Sequence, residues 1–367
     1  MKPATGEMTS LSWRKLRAGQ RLIVGFSGSS PSAEFREFVA TARPAGFVLF
    51  ARNVEDPAQV AELNRELTSL LPDRYPPILS VDQEGGRVQR VRATRWPAAR
   101  WVGNVDDLAL SWQLGLSMAD ELLAMGFNVN FAPDFDVDSN PANPVIGDRA
   151  FSSSPRQVAR HATTVLRAFH ERGLIGCAKH FPDHGDTHVD SHHDLPVVEK
   201  ELPELREVEL APFRAAIAAQ VAMIMTAHVV FPDLDPDLPA TMSRRIMHGL
   251  LREELGYGGV IVSDDMEMKA VRGRYPLDLQ LDLACRATVD LFLVCHELDL
   301  CWRSYETLVR LQEEDKAHDA LAEDSERRLL ALRERFWIDR SAPPDLSVVG
   351  AVAHHALAQR FQAEGAA

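Results

Sequence analysis

The sequence is poor in cysteine, with four residues of this type in 367, at positions 177, 285, 295 and 301. No two of them form a CxxC pair, so a structural zinc site of that kind is excluded, and their irregular spacing excludes a disulfide framework. Long apolar runs are also missing: no stretch reaches the roughly 18 residues that a membrane-spanning helix needs. Residues 1–12 are polar and lack the apolar segment of a signal peptide. We therefore expect a cytoplasmic protein that does not act at a membrane.

Positive charge is in the minority. The chain has 40 Lys and Arg against 53 Asp and Glu, which gives a net charge of −13. Such a field repels phosphate backbones and anionic lipids, so nucleic acids and membranes are disfavoured as partners. With 46% hydrophobic and 25% charged residues the composition is that of a globular protein, which excludes disorder and collagen-like structure. Length alone permits two domains or one large barrel.

Eight short runs of β-branched and aromatic residues recur along the chain, and segments of helical period lie between them. The predicted strands are residues 21–27, 46–52, 77–82, 128–134, 176–181, 223–229, 259–264 and 290–295. The predicted helical segments include 56–71, 108–125, 155–172, 204–220 and 244–255, followed by one long helix from about 302 to 336. Alternating strands and helices indicate a parallel sheet covered by helices.

Polar residues at the strand ends favour a (β/α)₈ barrel of the TIM type over a doubly wound sheet. They are Arg52, Asp82, Asp134, Asp136, Lys179, His180, His228, Asp264 and His296. A barrel brings all eight carboxyl ends to one rim, whereas an open sheet gathers only those at its switch point. We expect a single barrel domain over residues 1–340 and a C-terminal helical tail over 341–367.

The densest polar segment is residues 179–196, with five of the 13 histidines and four aspartates. So many ionisable groups could not all be paired in a core, which predicts an exposed functional loop or a metal-binding loop. Metallohydrolase barrels commonly start their ligand set with a His-x-His after the first strand. Here the first 160 residues contain no histidine. We expect no metal and no cofactor; a metal-dependent barrel hydrolase using this loop and His228 is the alternative.

Within this loop, Asp190 and His192 form a predicted proton-transfer pair. In the D-S-H string the outer two residues can lie on the same side of an extended turn. A carboxylate beside an imidazole fixes its tautomer and raises its affinity for a proton. His192 is therefore a candidate general acid and base near neutral pH.

Two further strand ends carry candidate residues. After the third strand, Gly85 and Gly86 permit a tight turn, so that Asp82 and Arg90 face one cavity and grip sugar hydroxyls; a structural ion pair is the alternative. After the seventh strand, Asp264 ends a buried apolar run. An isolated buried carboxylate is strongly penalised, so this residue must be paired or catalytic, and we predict that it is the nucleophile. By strand alternation Asp265 points the other way and is expected to be structural.

Several strings together resemble glycoside hydrolase family 3, in particular its short single-domain β-N-acetylglucosaminidase (NagZ-type) branch. The matching strings are VDQEGGRVQR at 81–90, FAPDFDVD at 131–138, IGDRAFS at 146–152, KHFPDHGDTHVDSH at 179–192, MTAHVVFP at 225–232 and VSDDMEM at 262–268. They span about residues 20–340, and the 179–192 string is the most specific. The sequence departs from the family pattern at Asp183, where that pattern has glycine, so the turn is expected to differ or Asp183 to adopt a left-handed conformation.

The resemblance implies a retaining exo-β-N-acetylglucosaminidase. Asp264 would form the covalent glycosyl-enzyme, and His192, oriented by Asp190, would act as acid and base. The residues that would bind the sugar are Asp82, Arg90, Arg149, Lys179 and His180. The implied substrate is a carbohydrate, either an N-acetylglucosaminyl muropeptide of cell-wall recycling or a chito-oligosaccharide. A β-glucosidase, a β-xylosidase and a phosphorylase of the same family are alternatives, although relatives of the first two kinds place their acid/base on a further domain. A non-catalytic sugar-binding regulator is a more remote alternative.

Overall fold

Eight parallel strands close into a barrel in the computed structural model, which describes residues 10–71, 77–187, 195–336 and 345–366. In chain order the strands are β1 (Leu22–Val24), β2 (Gly46–Leu49), β3 (Ile78–Val81), β4 (Gln83–Gly85), β5 (Val88–Gln89), β6 (Val129–Asn130), β7 (Ile175–Phe181), β8 (Met223–Thr226), β9 (Val260–Asp265) and β10 (Leu291–Val294). β4 and β5 form a separate antiparallel hairpin, and the other eight follow one another around the barrel until β10 pairs with β1. The predicted (β/α)₈ barrel is confirmed, with all eight predicted strands in it.

Helices surround the barrel. They are α1 (Ser10–Gly19), α2 (Ala33–Ala42), α3 (Pro57–Ser69), α4 (Ala99–Val105), α5 (Leu108–Ala124), α6 (Pro155–Glu171), α7 (Leu202–Glu207), α8 (Leu210–Ala218), α9 (Lys269–Arg272), α10 (Leu277–Arg286), α11 (Leu298–Glu314), α12 (Lys316–Arg335) and α13 (Val352–Gly365). A π-helix over Arg245–Glu254 links β8 to β9. In the described part of the chain, no helix has both the length and the apolar composition needed to cross a membrane.

The prediction of one long helix between about 302 and 336 is wrong, because the segment breaks at Asp315. That residue has an extended backbone, with φ −134° and ψ 117°, and its carboxylate accepts a hydrogen bond from the N–H of Ala317. Asp315 is thus the N-cap of α12, and an aspartate at this position stabilises a new helix start more than a continuing helix. Asp56 caps α3 in the same way, since its side chain accepts a hydrogen bond from the N–H of Gln59.

Alternate residues of the strands pack on opposite sides of the barrel wall, as strand geometry requires. In β9, Ile261 belongs to the large apolar cluster shared with the helices, whereas Val260 and Val262 belong to a second cluster. Five members of this second cluster also line the rim cavity described below: Val48, Phe131, Met225, Leu293 and Cys295. The barrel interior is therefore a packed apolar plug with a polar cavity above it.

Asparagine side chains reinforce the seam between β3 and β6, where backbone hydrogen bonds run from Asn128 to Leu79 and from Phe131 to Val81. β6 contributes only two residues to the barrel, paired with Ser80 and Val81 of β3. The Asn130 amide accepts from the N–H of Gln83 at 3.0 Å and donates to the Gln83 carbonyl at 2.9 Å. Asn128 binds the N–H of Leu79 and the Pro77 carbonyl in the same way. Side-chain amides here replace the backbone groups of a longer strand.

The C-terminal helix α13 packs against α4 and α5 of the barrel. Phe361 on this helix is fully buried in the large apolar cluster. The buried carboxylate of Glu121 in α5 accepts hydrogen bonds from the hydroxyl of Thr94, the N–H of Gly350 and Nδ1 of His354. Since Thr94 lies in the loop after β5, Glu121 connects the tail to the segment that carries Arg90.

Candidate active site

A cavity of about 640 Å³ opens at the carboxyl ends of the strands. This volume is typical of a small-molecule site. Its lining includes every predicted site residue that the structure describes: Asp82, Arg90, Arg149, Lys179, His180 and Asp264. The predicted pair Asp190 and His192 lies outside the described residues.

The β4–β5 hairpin brings Arg90 back towards Asp82. Its turn requires glycine: Gly85 has φ +104°, and a Cβ there would lie 2.1 Å from the Pro97 carbonyl oxygen. The side chain of Gln83 then accepts from the N–H groups of Arg90 and Val91. As a result the Arg90 guanidinium lies 3.5 Å from Oδ2 of Asp82. The expectation that Asp82 and Arg90 share one cavity is confirmed.

A network of two carboxylates and two cations forms one wall. Nζ of Lys179 lies 2.9 Å from Asp82 and 2.6 Å from Glu84. Arg149 binds both oxygens of Glu84 at 2.8 Å. Burial by itself raises the pKa of Glu84, but the charges of Arg149 and Lys179 outweigh it and hold that pKa well below its usual range. The network fixes both cations in their charged state before any ligand arrives.

Asp136 orients His180 from below the cavity. Burial raises the pKa of the Asp136 carboxyl, but the imidazole of His180, through its charge and hydrogen bond, brings this pKa down to about 2. The ionised carboxylate accepts from Nδ1 of His180 at 2.7 Å, and from the backbone N–H groups of His180 and His184. This arrangement places the proton on Nδ1 and leaves Nε2, 3.5 Å from Arg149, as the atom on the other side of the ring.

Asp264 lies at the end of β9, at the cavity floor. Burial raises the pKa of its carboxyl, but the imidazoles of His180 and His228 and a hydrogen bond from the N–H of Asp265 bring the pKa below its ordinary value. That N–H donates to Oδ1 of Asp264 at 2.8 Å. The carboxylate is therefore ionised at neutral pH, the state that a nucleophile needs.

The expectation that Asp265 points away from the site is wrong. The register between β9 and β10 pairs Leu291 with Val262 and then Leu293 with Asp265, so β9 carries one extra residue in a bulge. A bulge interrupts the alternation of side chains. Asp265 therefore also lines the cavity, with Oδ2 3.2 Å from Nε2 of His296.

The start of the fifth-strand loop, residues 179–187, is buried rather than exposed as predicted; only Asp186 in it is partly accessible. Its polar groups find partners in the preceding βα loop. Asn143 donates to the carbonyls of His184 and Gly185, and Gly185 lies so close that a Cβ would be 1.7 Å from the Val137 carbonyl oxygen. The predicted exposure is wrong because a second loop supplies partners for these ionisable groups, and the composition of one loop does not reveal them.

Asp183, which departs from the glycine of the family pattern, is fully buried in this segment. Its backbone is not left-handed. One carboxyl oxygen accepts from the N–H of Val137 at 2.9 Å and the other from the N–H of Gly185 at 2.5 Å. Burial, with the nearby charges of Asp136 and Glu209, raises the pKa of this carboxyl well above its ordinary value. The side chain thus adds a tie between two loops without forcing the turn into a strained conformation.

Two groups of possible metal ligands occur among the described residues: Asp134, Asp136 and His180, and Asp265, Glu267 and His296. In the first, Asp136 and Nδ1 of His180 already bind each other, and the guanidinium of Arg149 lies 3.7 Å from Asp134. In the second, Glu267 accepts from the N–H groups of His296 and Glu297. In both groups, members already form hydrogen bonds or ion pairs with neighbouring groups of the protein.

Glu84 is absent from the predicted site residues, and Asp136 enters the prediction only as a strand-end residue. A signal for Glu84 was available, because residues two apart in an extended segment share a face and Asp82 is two residues earlier. Its neighbours Lys179 and Arg149 come from distant parts of the chain. No local pattern predicts that convergence.

Comparison with known proteins matches most of the chain to one family. Residues 12–332 match the model of the glycosyl hydrolase family 3 N-terminal domain. A β-hexosaminidase of Pseudomonas aeruginosa is 38% identical over 279 residues, covering 75% of this chain and 82% of that protein.

Solved structures agree with this match. A glycoside hydrolase family 3 β-N-acetylglucosaminidase from Paenibacillus sp. superposes with a TM-score of 0.91 at 38% identity, over 96% of this chain and 68% of that one. NagZ from Neisseria gonorrhoeae superposes with a TM-score of 0.78 at 29% identity, over 94% of this chain and 97% of that one. The chain therefore belongs to glycosyl hydrolase family 3, as a glycoside hydrolase of the NagZ type.

Proposed function

We propose that the protein is a retaining exo-β-N-acetylglucosaminidase that removes terminal β-linked N-acetylglucosamine. The observation that carries the proposal is the ionised carboxylate of Asp264 at the floor of a cavity whose walls hold Asp82, Arg90, Arg149, Lys179 and His180. The names of the Pseudomonas and Paenibacillus relatives give the same activity class.

In the first step of the proposed reaction an oxygen of Asp264 attacks the anomeric carbon. The bond from that carbon to the leaving oxygen breaks, and His192, oriented by Asp190, gives its proton to the leaving oxygen. In the second step His192 takes a proton from water, whose oxygen displaces Asp264 from the anomeric carbon. The scheme is a double displacement in which an imidazole takes the place of the usual second carboxylic acid.

The ion network holds the proposed sugar-binding groups in place. Carboxylate oxygens of Asp82 accept hydrogen bonds from sugar hydroxyls, while Lys179, Arg149 and Arg90 donate to hydroxyl or amide oxygens. Because Asp82 and Lys179 are already 2.9 Å apart, neither has to be ordered when the ligand binds. We propose that these groups and His180 bind the terminal N-acetylglucosamine.

The proposed natural substrates are N-acetylglucosaminyl muropeptides of cell-wall recycling, with chito-oligosaccharides as the other carbohydrate of this type. We propose that the protein works in the cytoplasm. All four cysteines are free and buried, which fits a reducing compartment. Cell fractionation and product analysis with a purified muropeptide test both statements.

Hydrolysis of an aryl β-N-acetylglucosaminide, compared with the matching aryl β-glucoside and β-xyloside, tests the activity. We expect turnover of the first only, unchanged by a chelator, with free sugar rather than sugar phosphate as product in phosphate buffer. Asp264→Ala should lower kcat by about a thousand-fold or more. His192→Ala should slow the deglycosylation step.

Three outcomes contradict parts of the proposal. Faster turnover of the glucoside or xyloside identifies a related glycosidase, and a sugar phosphate product identifies a phosphorylase. Wild-type turnover by Asp264→Ala refutes the nucleophile assignment.

A further inference from the structure

His228 lies directly after β8 and is fully buried. Its Nε2 is 3.0 Å from the carbonyl oxygen of Asp265. A carbonyl oxygen only accepts hydrogen bonds, so Nε2 must carry a proton. Burial lowers the pKa of His228, although Asp264 and Asp265 oppose this effect, so the imidazole is neutral near pH 7 and its Nδ1 is an acceptor.

Two threonines complete a chain of hydrogen bonds behind this imidazole. The hydroxyl of Thr241 lies 2.8 Å from Nδ1 of His228, and the hydroxyl of Thr226 lies 2.7 Å from that of Thr241. The same hydroxyl of Thr241 also lies 3.0 Å from the carbonyl oxygen of Ala227, so its one proton is shared between that oxygen and Nδ1, and Thr226 in turn donates to Thr241. Thr226 and Thr241 are fully buried as well, so water does not compete for these bonds.

This chain of hydrogen bonds ends at the carboxyl end of β9, where the backbone pairing with the neighbouring strands is irregular. Backbone pairing between β8 and β9 runs from Met223 to Met225 on one strand and stops at Val262 on the other. On the opposite side, the bulge interrupts the pairing of β9 with β10 between Val262 and Asp265. Asp264 therefore lies in the bulge, outside the regular ladder, and Asp265 is paired again only on the β10 side, with Leu293. The bond from His228 to the Asp265 carbonyl ties them back to the β8 side.

The backbone of Asp265 is also the direct support of Asp264, through the N–H that donates to Oδ1. The carbonyl oxygen of Asp265 is therefore bound by His228, while the N–H of Asp265 binds the carboxylate of Asp264. A shift of Asp265 would carry Asp264 with it. Misplacement of a reacting group by about 1 Å costs on the order of a hundred-fold in rate.

We infer that His228 is a positioning residue for Asp264, held in its working tautomer by Thr241 and Thr226. The inference rests on the proposed role of Asp264 as nucleophile. His228 acts on the glycosylation step through the Asp265 backbone and makes no contact with the sugar.

A matched pair of substitutions tests the bond to Asp265. The amide nitrogen of glutamine can occupy the place of Nε2, whereas that of asparagine reaches only the place of Nδ1. We expect His228→Asn to lower kcat/KM for an aryl β-N-acetylglucosaminide by about thirty- to a hundred-fold, and His228→Gln to retain most of it. The inhibition constant of N-acetylglucosamine should change less than three-fold in both, because the sugar-binding groups are untouched.

A second pair tests the tautomer support and serves if the His228 variants do not fold. Thr241→Val removes the hydroxyl at constant shape, and Thr241→Ser keeps it. We expect about a ten-fold loss of kcat/KM in the first and near wild-type activity in the second. In the ¹⁵N spectrum of the wild-type imidazole, Nε2 should carry the proton at pH 7.

Equal activity of His228→Asn and His228→Gln overturns the inference, and so does a protonated Nδ1 in the neutral imidazole. A parallel loss of inhibitor binding overturns it as well, since that marks a general disturbance of the site. The Asp264→Ala control distinguishes failure of the proposed function from failure of the inference about His228. If that variant keeps wild-type turnover, the nucleophile assignment fails, whereas the tautomer measurement still reports on His228.

Discussion

At the scale of single residues, Glu84 decides the electrostatics of the site. It has 5% side-chain exposure and is shared by Lys179 and Arg149. Removing one partner of a buried ion pair leaves an uncompensated charge, which costs more than the pair contributes. Glu84 therefore matters to the protein although it needs no contact with substrate.

We expect Glu84→Gln to lower the free energy of unfolding by about 3–5 kcal/mol, because Lys179 then keeps only Asp82 and Arg149 loses both of its hydrogen bonds to an ionised carboxylate. KM should rise as Lys179 and Arg149 lose their fixed positions. Urea denaturation and steady-state kinetics measure both effects.

Asp148→Asn is the matched control. Asp148 pairs with Arg87 at 2.8 Å, but both side chains are nearly half exposed. Such a pair contributes less than about 1 kcal/mol. Equal stability of the two variants would refute the role given to Glu84.

Among the elements, the fifth-strand loop is positioned by close backbone contact. The Cβ of an alanine at position 185 would collide with the Val137 backbone, which cannot move aside as a side chain can. We expect Gly185→Ala to lower kcat/KM by about a hundred-fold or more, with a loss of about 1–3 kcal/mol in stability. Gly258→Ala is the control, since no atom lies within 4 Å of its added Cβ. Wild-type activity in Gly185→Ala would show that the loop tolerates displacement.

The end of α6 carries a histidine that makes stability depend on pH. Burial, with a smaller contribution from Arg335, lowers the pKa of His170 to about 4. The unfolded chain binds this proton near pH 6.5. The stabilisation is therefore complete above pH 6.5 and is lost as the pH falls towards 4, by at most about 1.4 kcal/mol per pH unit.

Replacing this residue should flatten the stability profile. We expect His170→Phe to lose less stability than wild type between pH 7 and pH 4.5, by on the order of 2 kcal/mol. Urea titrations at the two pH values measure this difference. The exposed His355, replaced in the same way, should leave the profile as it is. An unchanged slope in His170→Phe would contradict the assignment.

The elements differ in how far the sequence predicts them. Polar residues at strand ends predict the barrel, because only a closed sheet gives them a common rim. The break before α12 and the bulge at Asp265 escaped prediction: the first depends on one capping side chain, the second on the register of a neighbouring strand. Roles for Asp82, Arg90 and Asp264 can be proposed from local strings, whereas Glu84, Asp136 and His228 gain theirs from contacts across the barrel.

At the scale of the whole molecule, the tail is packed onto the barrel. We propose to divide the chain into a barrel at 1–340 and a tail at 341–367. The burial of Phe361 and the two hydrogen bonds from Gly350 and His354 to Glu121 make the described part of that tail cooperative with the barrel. One unfolding transition should therefore report on both.

We expect Phe361→Ala to lower the free energy of unfolding by about 3–5 kcal/mol, as for other buried aromatic residues, while keeping a single transition. Val352→Ala, at a position that is 87% exposed on the same helix, should stay within about 0.5 kcal/mol of wild type. Calorimetry of both variants measures this. Two separate transitions in Phe361→Ala would show that the tail unfolds on its own.

The asparagine seam between β3 and β6 has a consequence for how the barrel ages. Two side-chain amides reinforce it, and each of them donates through its nitrogen and accepts through its oxygen. Hydrolysis of either amide to an acid would replace a donor with a charge facing a carbonyl oxygen. Deamidation at Asn128 or Asn130 would therefore weaken the seam directly beside Asp82 and Glu84. Chemical ageing would then act on the site through two amides that take no part in the proposed reaction.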